Sequence, residues 1–203
     1  MKACLQVLDD LFKMNDMKRI SRFVSGNGTN LQRIAEYFKD HPDVEIVNVV
    51  CNNPKAYAIE RAKNLGIPLR MVTRKEFNSI EFTQGMADLK LDLIVLAGFL
   101  WKIPSSLIQA YPKKIVNIHP ALLPKYGGKG FYGEHVHEAV VAAKEAYSGI
   151  TIHYVNEIYD NGEIILQAYT KLDAGETPDS LAAKIHKLEQ AYFPVAIEFL
   201  IKN

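Results

Sequence analysis

Cysteine, tryptophan and any excess of one charge are scarce in this chain. Only two cysteines, Cys4 and Cys51, occur among 203 residues. Their spacing makes neither a disulfide framework nor a zinc motif, and such sparse use fits a reducing cytoplasm. Lys and Arg together number 24 against 23 Asp and Glu, a formal net charge of +1. That balance speaks against a general nucleic-acid binder, which carries a basic excess. It leaves room for a locally basic pocket for one phosphate. No apolar run reaches the roughly 18 residues that cross a bilayer, so no membrane association is expected. No His, Cys or carboxylate cluster has metal-ligand spacing, so no metal is expected. There is no Gly-x-Ser-x-Gly elbow, which removes support for a serine hydrolase. Repeats, linkers and low-complexity tracts are also missing.

What is present suits one folded domain. About half of the residues are hydrophobic, and a chain of this size buries roughly 70% of the surface that its unfolded form exposes. Residues 1–16 do not read as a signal peptide, because Asp9 and Asp10 interrupt the apolar stretch. Met17 opens a segment, MKRISRFVSGNG, with the look of an α/β domain start. Residues 1–16 are therefore expected to be an extension outside the core fold, with 17–203 as a single domain.

Strand-like and helix-like segments alternate through the first half. Strands are expected at 19–25, 45–50, 69–72, 92–97 and 115–118. Helices are expected at 29–39, 57–65 and 75–89. Leu31, Ile34, Ala35 and Phe38 fall at helical spacing. The run DLIVLA at 92–97 suits a strand buried on both faces. Repeated units of this kind imply a parallel sheet with helices on both faces. After His119 the pattern changes to a Gly- and Pro-rich loop, a helix at 134–145 and two strands at 150–155 and 163–170. Their short separation predicts an antiparallel pair that extends the sheet. Thr177 caps a last helix with Pro178 at its first position, and Pro194 is expected to kink or break that helix near its end.

Three motifs stand where chemistry can be done. Ser25-Gly26-Asn27-Gly28-Thr29-Asn30 joins the first strand to the first helix. Glycines allow the tight turn, and the helix N-terminus offers free N–H groups to an anion. A turn serving only chain reversal would use the same residues. Asn117-Ile118-His119-Pro120 follows an apolar strand, and ligands in open α/β sheets bind beyond the carboxyl ends of strands. Asn117 and His119 alternate, so both project to one side. An Asn amide can hold an oxyanion, and an imidazole with an ordinary pKa of about 6.5 can move protons. A His bonded in a loop and an Asn capping a turn are the plain alternative. Asp160-Asn161-Gly162 joins the last two strands, and Asx-Gly pairs are ordinary turn formers. His153 reads as a packed or bonded core residue. His135 and His137, at a helix start, read as solvated or capping.

Together, SGNGTNLQ, NNPKAYAIERAKNLGIP, LDLIVLAGFLWKIP, IVNIHPALLPKY and GITIHYVNEIYDNGEIILQ resemble the folate-dependent formyltransferases. The SGNGTN loop points to their glycinamide ribonucleotide branch, and the likeness runs from about Lys18 to about Ile201. The resemblance implies a Rossmann-like mononucleotide-binding half, 17–116, and a catalytic and folate-binding half, 117–203. It implies formyl transfer from 10-formyltetrahydrofolate to an amine in purine (IMP) synthesis, in the cytoplasm, by a monomer or homodimer. Asn117, His119 and Asp160 would be the catalytic trio, with Asp160 raising the His119 pKa. Gly28, Thr29 and Asn30 would hold a substrate phosphate, and Glu189 would stand near the substrate amine. Leu100, Trp101, Lys102, Ile103, Val155 and Asn156 would line the folate site.

Against the family pattern, the loop from Lys125 to His135 is longer and richer in glycine. Trp101-Lys102 replaces an Arg-containing stretch, and no basic residue stands between Phe77 and Phe82 to face the folate tail. Two other readings remain at this point. A methionyl-tRNA formyltransferase would bring a further RNA-binding domain and a basic surface. A non-catalytic nucleotide- or folate-binding module would have no need of the Asn117, His119 and Asp160 set.

Overall fold

A computed structural model describes residues 17–203. The expectation for residues 1–16 lies outside the described residues. Seven strands form one sheet: β1 (Lys18–Val24), β2 (Val44–Cys51), β3 (Leu69–Met71), β4 (Leu93–Ala97), β5 (Ile115–His119), β6 (Tyr147–Tyr154) and β7 (Ile164–Lys171). Their order across the sheet is β3-β2-β1-β4-β5-β6-β7. The pairs from β3 through β5 are parallel. β6 runs antiparallel to β5, and β7 antiparallel to β6. This is the expected α/β architecture: a Rossmann-like parallel sheet extended by an antiparallel C-terminal pair.

Seven helices flank the sheet among the described residues: α1 (Thr29–Phe38), α2 (Ala58–Asn64), α3 (Arg74–Phe77), α4 (Ile80–Ala87), α5 (Ser105–Ala110), α6 (Glu134–Ala142) and α7 (Pro178–Lys202). One large core packs Ile34 and Phe38 of α1, Val136 and Val140 of α6, and Ile185, Phe193 and Ile197 of α7 onto the sheet. A second core, on Phe77, Phe82, Met86 and Leu107 from α3, α4 and α5, also takes in residues of β1 and β4. β4 has Leu93, Ile94, Val95 and Leu96 all buried, as its unbroken apolar run requires when helices lie on both faces.

Three local expectations are corrected. The helix expected over 75–89 is two helices, because Ser79 interrupts it. Its side chain accepts from the Phe82 N–H at 3.1 Å and so starts α4 afresh. The short α5 falls in a stretch where no helix was expected. Pro194 does not break α7, which runs through it to Lys202. A proline leaves the carbonyl four residues earlier without its N–H partner. That carbonyl, of Gln190, accepts from Arg33 Nε on α1 at 3.2 Å instead.

Candidate active site

The carboxyl ends of β1, β4 and β5 open into one cavity of about 580 Å³, within the usual range for small-molecule sites. The N-terminal motif forms one end of it. Gly28 has φ +77°, and a Cβ there would lie 2.8 Å from the Ala58 Cβ, so glycine is required twice over. The turn is braced from outside. Arg61 Nε donates to the Asn27 carbonyl at 2.9 Å, Asn53 Nδ2 to the Ser25 carbonyl at 2.9 Å, and the Leu100 N–H to Ser25 Oγ at 3.0 Å. Ser25 is thus a structural hydroxyl. No side chain caps α1, and Gly28, Thr29 and Asn30 at its start line the cavity, an arrangement that can accept an anion. The Asn30 side chain commits one of its two Nδ2 hydrogens. It donates to Glu189 Oε2 at 3.0 Å. Glu189, on α7, is buried and also lies 3.2 Å from His186 Nδ1. That contact pushes the His186 imidazole pKa upward.

The other end is built on β5. Asn117 sits opposite His153 in the β5–β6 register. Asn117 Nδ2 donates to His153 Nε2 at 3.2 Å, while His153 Nδ1 donates to the Tyr154 carbonyl at 2.8 Å. His153 is therefore a bonded core residue, as expected. It also dictates which way the Asn117 amide points and leaves the second Nδ2 hydrogen free.

His119 is 3% exposed. Its Nε2 donates to the Tyr126 carbonyl at 2.7 Å, and its Nδ1 lies 3.6 Å from Asp160 Oδ2. The carbonyl keeps the Nε2 proton in place, so Nδ1 is the atom that gains and loses a proton beside the carboxylate.

Asp160 has φ +52° at the turn between β6 and β7. Its Oδ2 accepts the Gly128 N–H at 2.9 Å, and its Oδ1 lies 3.6 Å from His153 Nε2. At Gly162 a Cβ would collide with the Tyr154 carbonyl, the same carbonyl that holds His153. Burial pushes the Asp160 carboxyl up, but His153, the His119 charge and the Gly128 N–H together hold it below its ordinary value.

The expected rise in the His119 pKa is corrected. Asp160 does favour the imidazolium, but burial outweighs it and the net direction is downward.

Between these ends runs a largely apolar wall. Leu100, Trp101, Lys102 and Ile103, after β4, and Val155 and Asn156, after β6, all line the cavity. Trp101 packs against Phe77 and Phe99, with ring centroids 5.6 and 6.2 Å away. Arg74 places its guanidinium 4.4 Å over the Trp101 ring. A cation thus stands beside this wall from α3, just before the Phe77–Phe82 segment in which none was found. The glycine-rich loop from Gly128 to Gly133 forms a further side.

Sequence reasoning missed two residues here. The Tyr126 carbonyl carries no side-chain signal. His137 was expected to be solvated or capping, but it is 6% exposed and lines the cavity. Its spacing with the buried Val136 and Val140 on α6 placed it on the apolar face.

The chain has known relatives. Residues 18–197 match the formyl transferase family model. The chloroplastic phosphoribosylglycinamide formyltransferase of Arabidopsis thaliana is 39% identical over 88% of this chain, which spans 64% of that protein's length. The phosphoribosylglycinamide formyltransferase of Bacillus subtilis is 37% identical over 91% of this chain and 95% of its own. The glycinamide ribonucleotide transformylase 1 of Symbiobacterium toebii superposes with a TM-score of 0.83 at 28% identity, covering 92% of this chain and 89% of that one. With that family match over most of its length and a relative 37% identical across nearly all of both chains, the chain belongs to the formyl transferase family.

Proposed function

We propose that this protein transfers the formyl group of 10-formyltetrahydrofolate to the amine of glycinamide ribonucleotide, a cytoplasmic step of purine synthesis. The observation that carries the reading is one cavity with an anion cradle at one end and Asn117, His119 and Asp160 at the other. Its two ends suit a phosphorylated amine, and the wall at Trp101, Ile103 and Val155 suits a flat pterin.

The residues support direct transfer. The neutral amine attacks the formyl carbon, and negative charge develops on the formyl oxygen. Asn117, held by His153, points its free Nδ2 hydrogen at that oxygen as a preorganised donor. His119 is neutral before the reaction, since burial lowers its pKa. The developing oxyanion, together with Asp160, favours protonation of Nδ1, so His119 takes up a proton from solvent as the tetrahedral intermediate forms and returns it when the intermediate collapses. A water held by Asp160 passes the proton of the attacking amine to the departing folate nitrogen. The C–N bond to folate then breaks, and formylated ribonucleotide and tetrahydrofolate leave. Both partners are small molecules.

Incubation with 10-formyltetrahydrofolate and glycinamide ribonucleotide, followed by absorbance, tests the reading. Consumption of the folate that depends on the ribonucleotide is the expected result. Folate binding with no transfer would leave a binding module instead.

A further inference from the structure

His137 has no task in the mechanism above, yet it is unusually placed. It stands on the first turns of α6, which packs against α7. It is 6% exposed and lines the cavity. Its Nδ1 is buried without a hydrogen-bond partner. A buried nitrogen left unpaired calls for a physical reason. The ring lies within the electrostatic reach of both His119 and Glu189, which line the same cavity. Burial pushes its pKa down, against the pull of Glu189 and Glu134 and with the push of His186 and His119. The imidazole is therefore neutral and carries one proton.

The position of that proton follows from the burial. An unpaired N–H deep in protein is rarer than a bare acceptor. Nδ1 is thus the bare atom, and the proton sits on Nε2, the edge left to the cavity. A neutral N–H donor at this point meets whatever spans the distance from the anion cradle to His119.

We infer that His137 is a specificity residue whose Nε2–H holds a ribose hydroxyl of the acceptor substrate. The inference rests on the proposed function, which puts a phosphate at Gly28–Asn30 and an amine beside His119. In such an acceptor the sugar is what lies between. The hydroxyl accepts from His137 and can donate to the Glu189 carboxylate, which its bond to Asn30 sets by the phosphate end and not beside the amine as the family resemblance implied. A donor and an acceptor placed together recognise a hydroxyl better than either alone, and a site built for a hydroxyl rejects analogues that lack it.

The test is calorimetric binding of glycinamide ribonucleotide, without folate, to the native protein and to His137→Ala, His137→Asn and His137→Gln. A Gln amide nitrogen falls near the position of Nε2, whereas that of Asn falls near Nδ1. Binding should weaken roughly 10- to 100-fold in the Ala and Asn variants and within a few-fold in Gln. The Ala penalty should vanish with either the 2′-deoxy or the 3′-deoxy ribonucleotide. Equal loss in Gln and Asn, or a full penalty with both deoxy compounds, would overturn the assignment. So would unweakened binding in the Ala variant. The Gln–Asn contrast stands even where the Ala variant fails to fold. Tight, hydroxyl-dependent binding without formyl transfer would sink the proposed reaction and leave the His137 assignment intact.

Discussion

The glycine-rich cradle after β1 and the cluster after β5 occupy equivalent places, yet they are made of different materials. The first presents a helix N-terminus without a side-chain cap, with Ser25 bonded to the Leu100 N–H and Asn30 to Glu189. The second presents side chains, each held by a partner from another segment: Asn117 by His153, His119 by Tyr126, Asp160 by Gly128. Holding an anion needs positive dipoles at fixed positions, which main chain provides at a helix N-terminus. Stabilising charge that appears only during reaction needs groups that change protonation or aim one hydrogen. The two ends should therefore fail in different ways.

The largest effects are expected at the side-chain end. Asn117→Ala, His119→Ala and Asp160→Ala should each lower turnover by about 10²–10³-fold, with near-native thermal unfolding. A drop in acceptor affinity alone would erase the distinction between the ends. Next comes His153→Phe, which removes the acceptor that orients Asn117. Turnover should fall about 10-fold or more, because small misplacements of a reacting group are costly. In an Asn117→Ala background the same change should cost little more, a coupling that a double-mutant cycle reads. At the backbone end, Gly28→Val should raise the acceptor KM and leave the folate KM in place. It should also lower the unfolding midpoint, since strain at φ +77° costs about 1–3 kcal/mol.

The smallest effect concerns pH. Burial depresses the folded-state pKa of both His119 and His137 below the ordinary value of 6.5. Groups shifted this way bind protons more weakly in the folded state. Their full stability is present above the unfolded pKa and is lost as pH falls toward the folded one. The unfolding midpoint should hold above about pH 7 and decline below about pH 6.5. That decline should be shallower in His137→Gln.

Much of the architecture was readable from pattern alone. Alternating strands and amphipathic helices announced the parallel sheet, and the short gap between the last two strands announced the antiparallel pair. What escaped was set by contacts distant in sequence. Pro194 reads as a helix breaker until Arg33 is seen to satisfy the Gln190 carbonyl. The role of His153 depends on the β5–β6 register, which no local motif encodes. The direction of the His119 pKa depends on how deeply the fold buries the ring, and a neighbouring carboxylate alone suggested the opposite sign. The stretch at Ser105–Ala110 was too short for periodicity to mark as a helix. His137 is a different case, because its spacing with Val136 and Val140 marks the buried face of α6 in the sequence itself.

The most direct test of the central claim follows a ¹³C-labelled formyl group by NMR. The label starts on 10-formyltetrahydrofolate, with glycinamide ribonucleotide present, in the native protein and in His119→Ala. The account predicts that the label moves to the ribonucleotide amine with native protein and stays on folate, on the same time scale, with the variant. Label that remains on folate with native protein, or reaches the amine equally fast with His119→Ala, would contradict it.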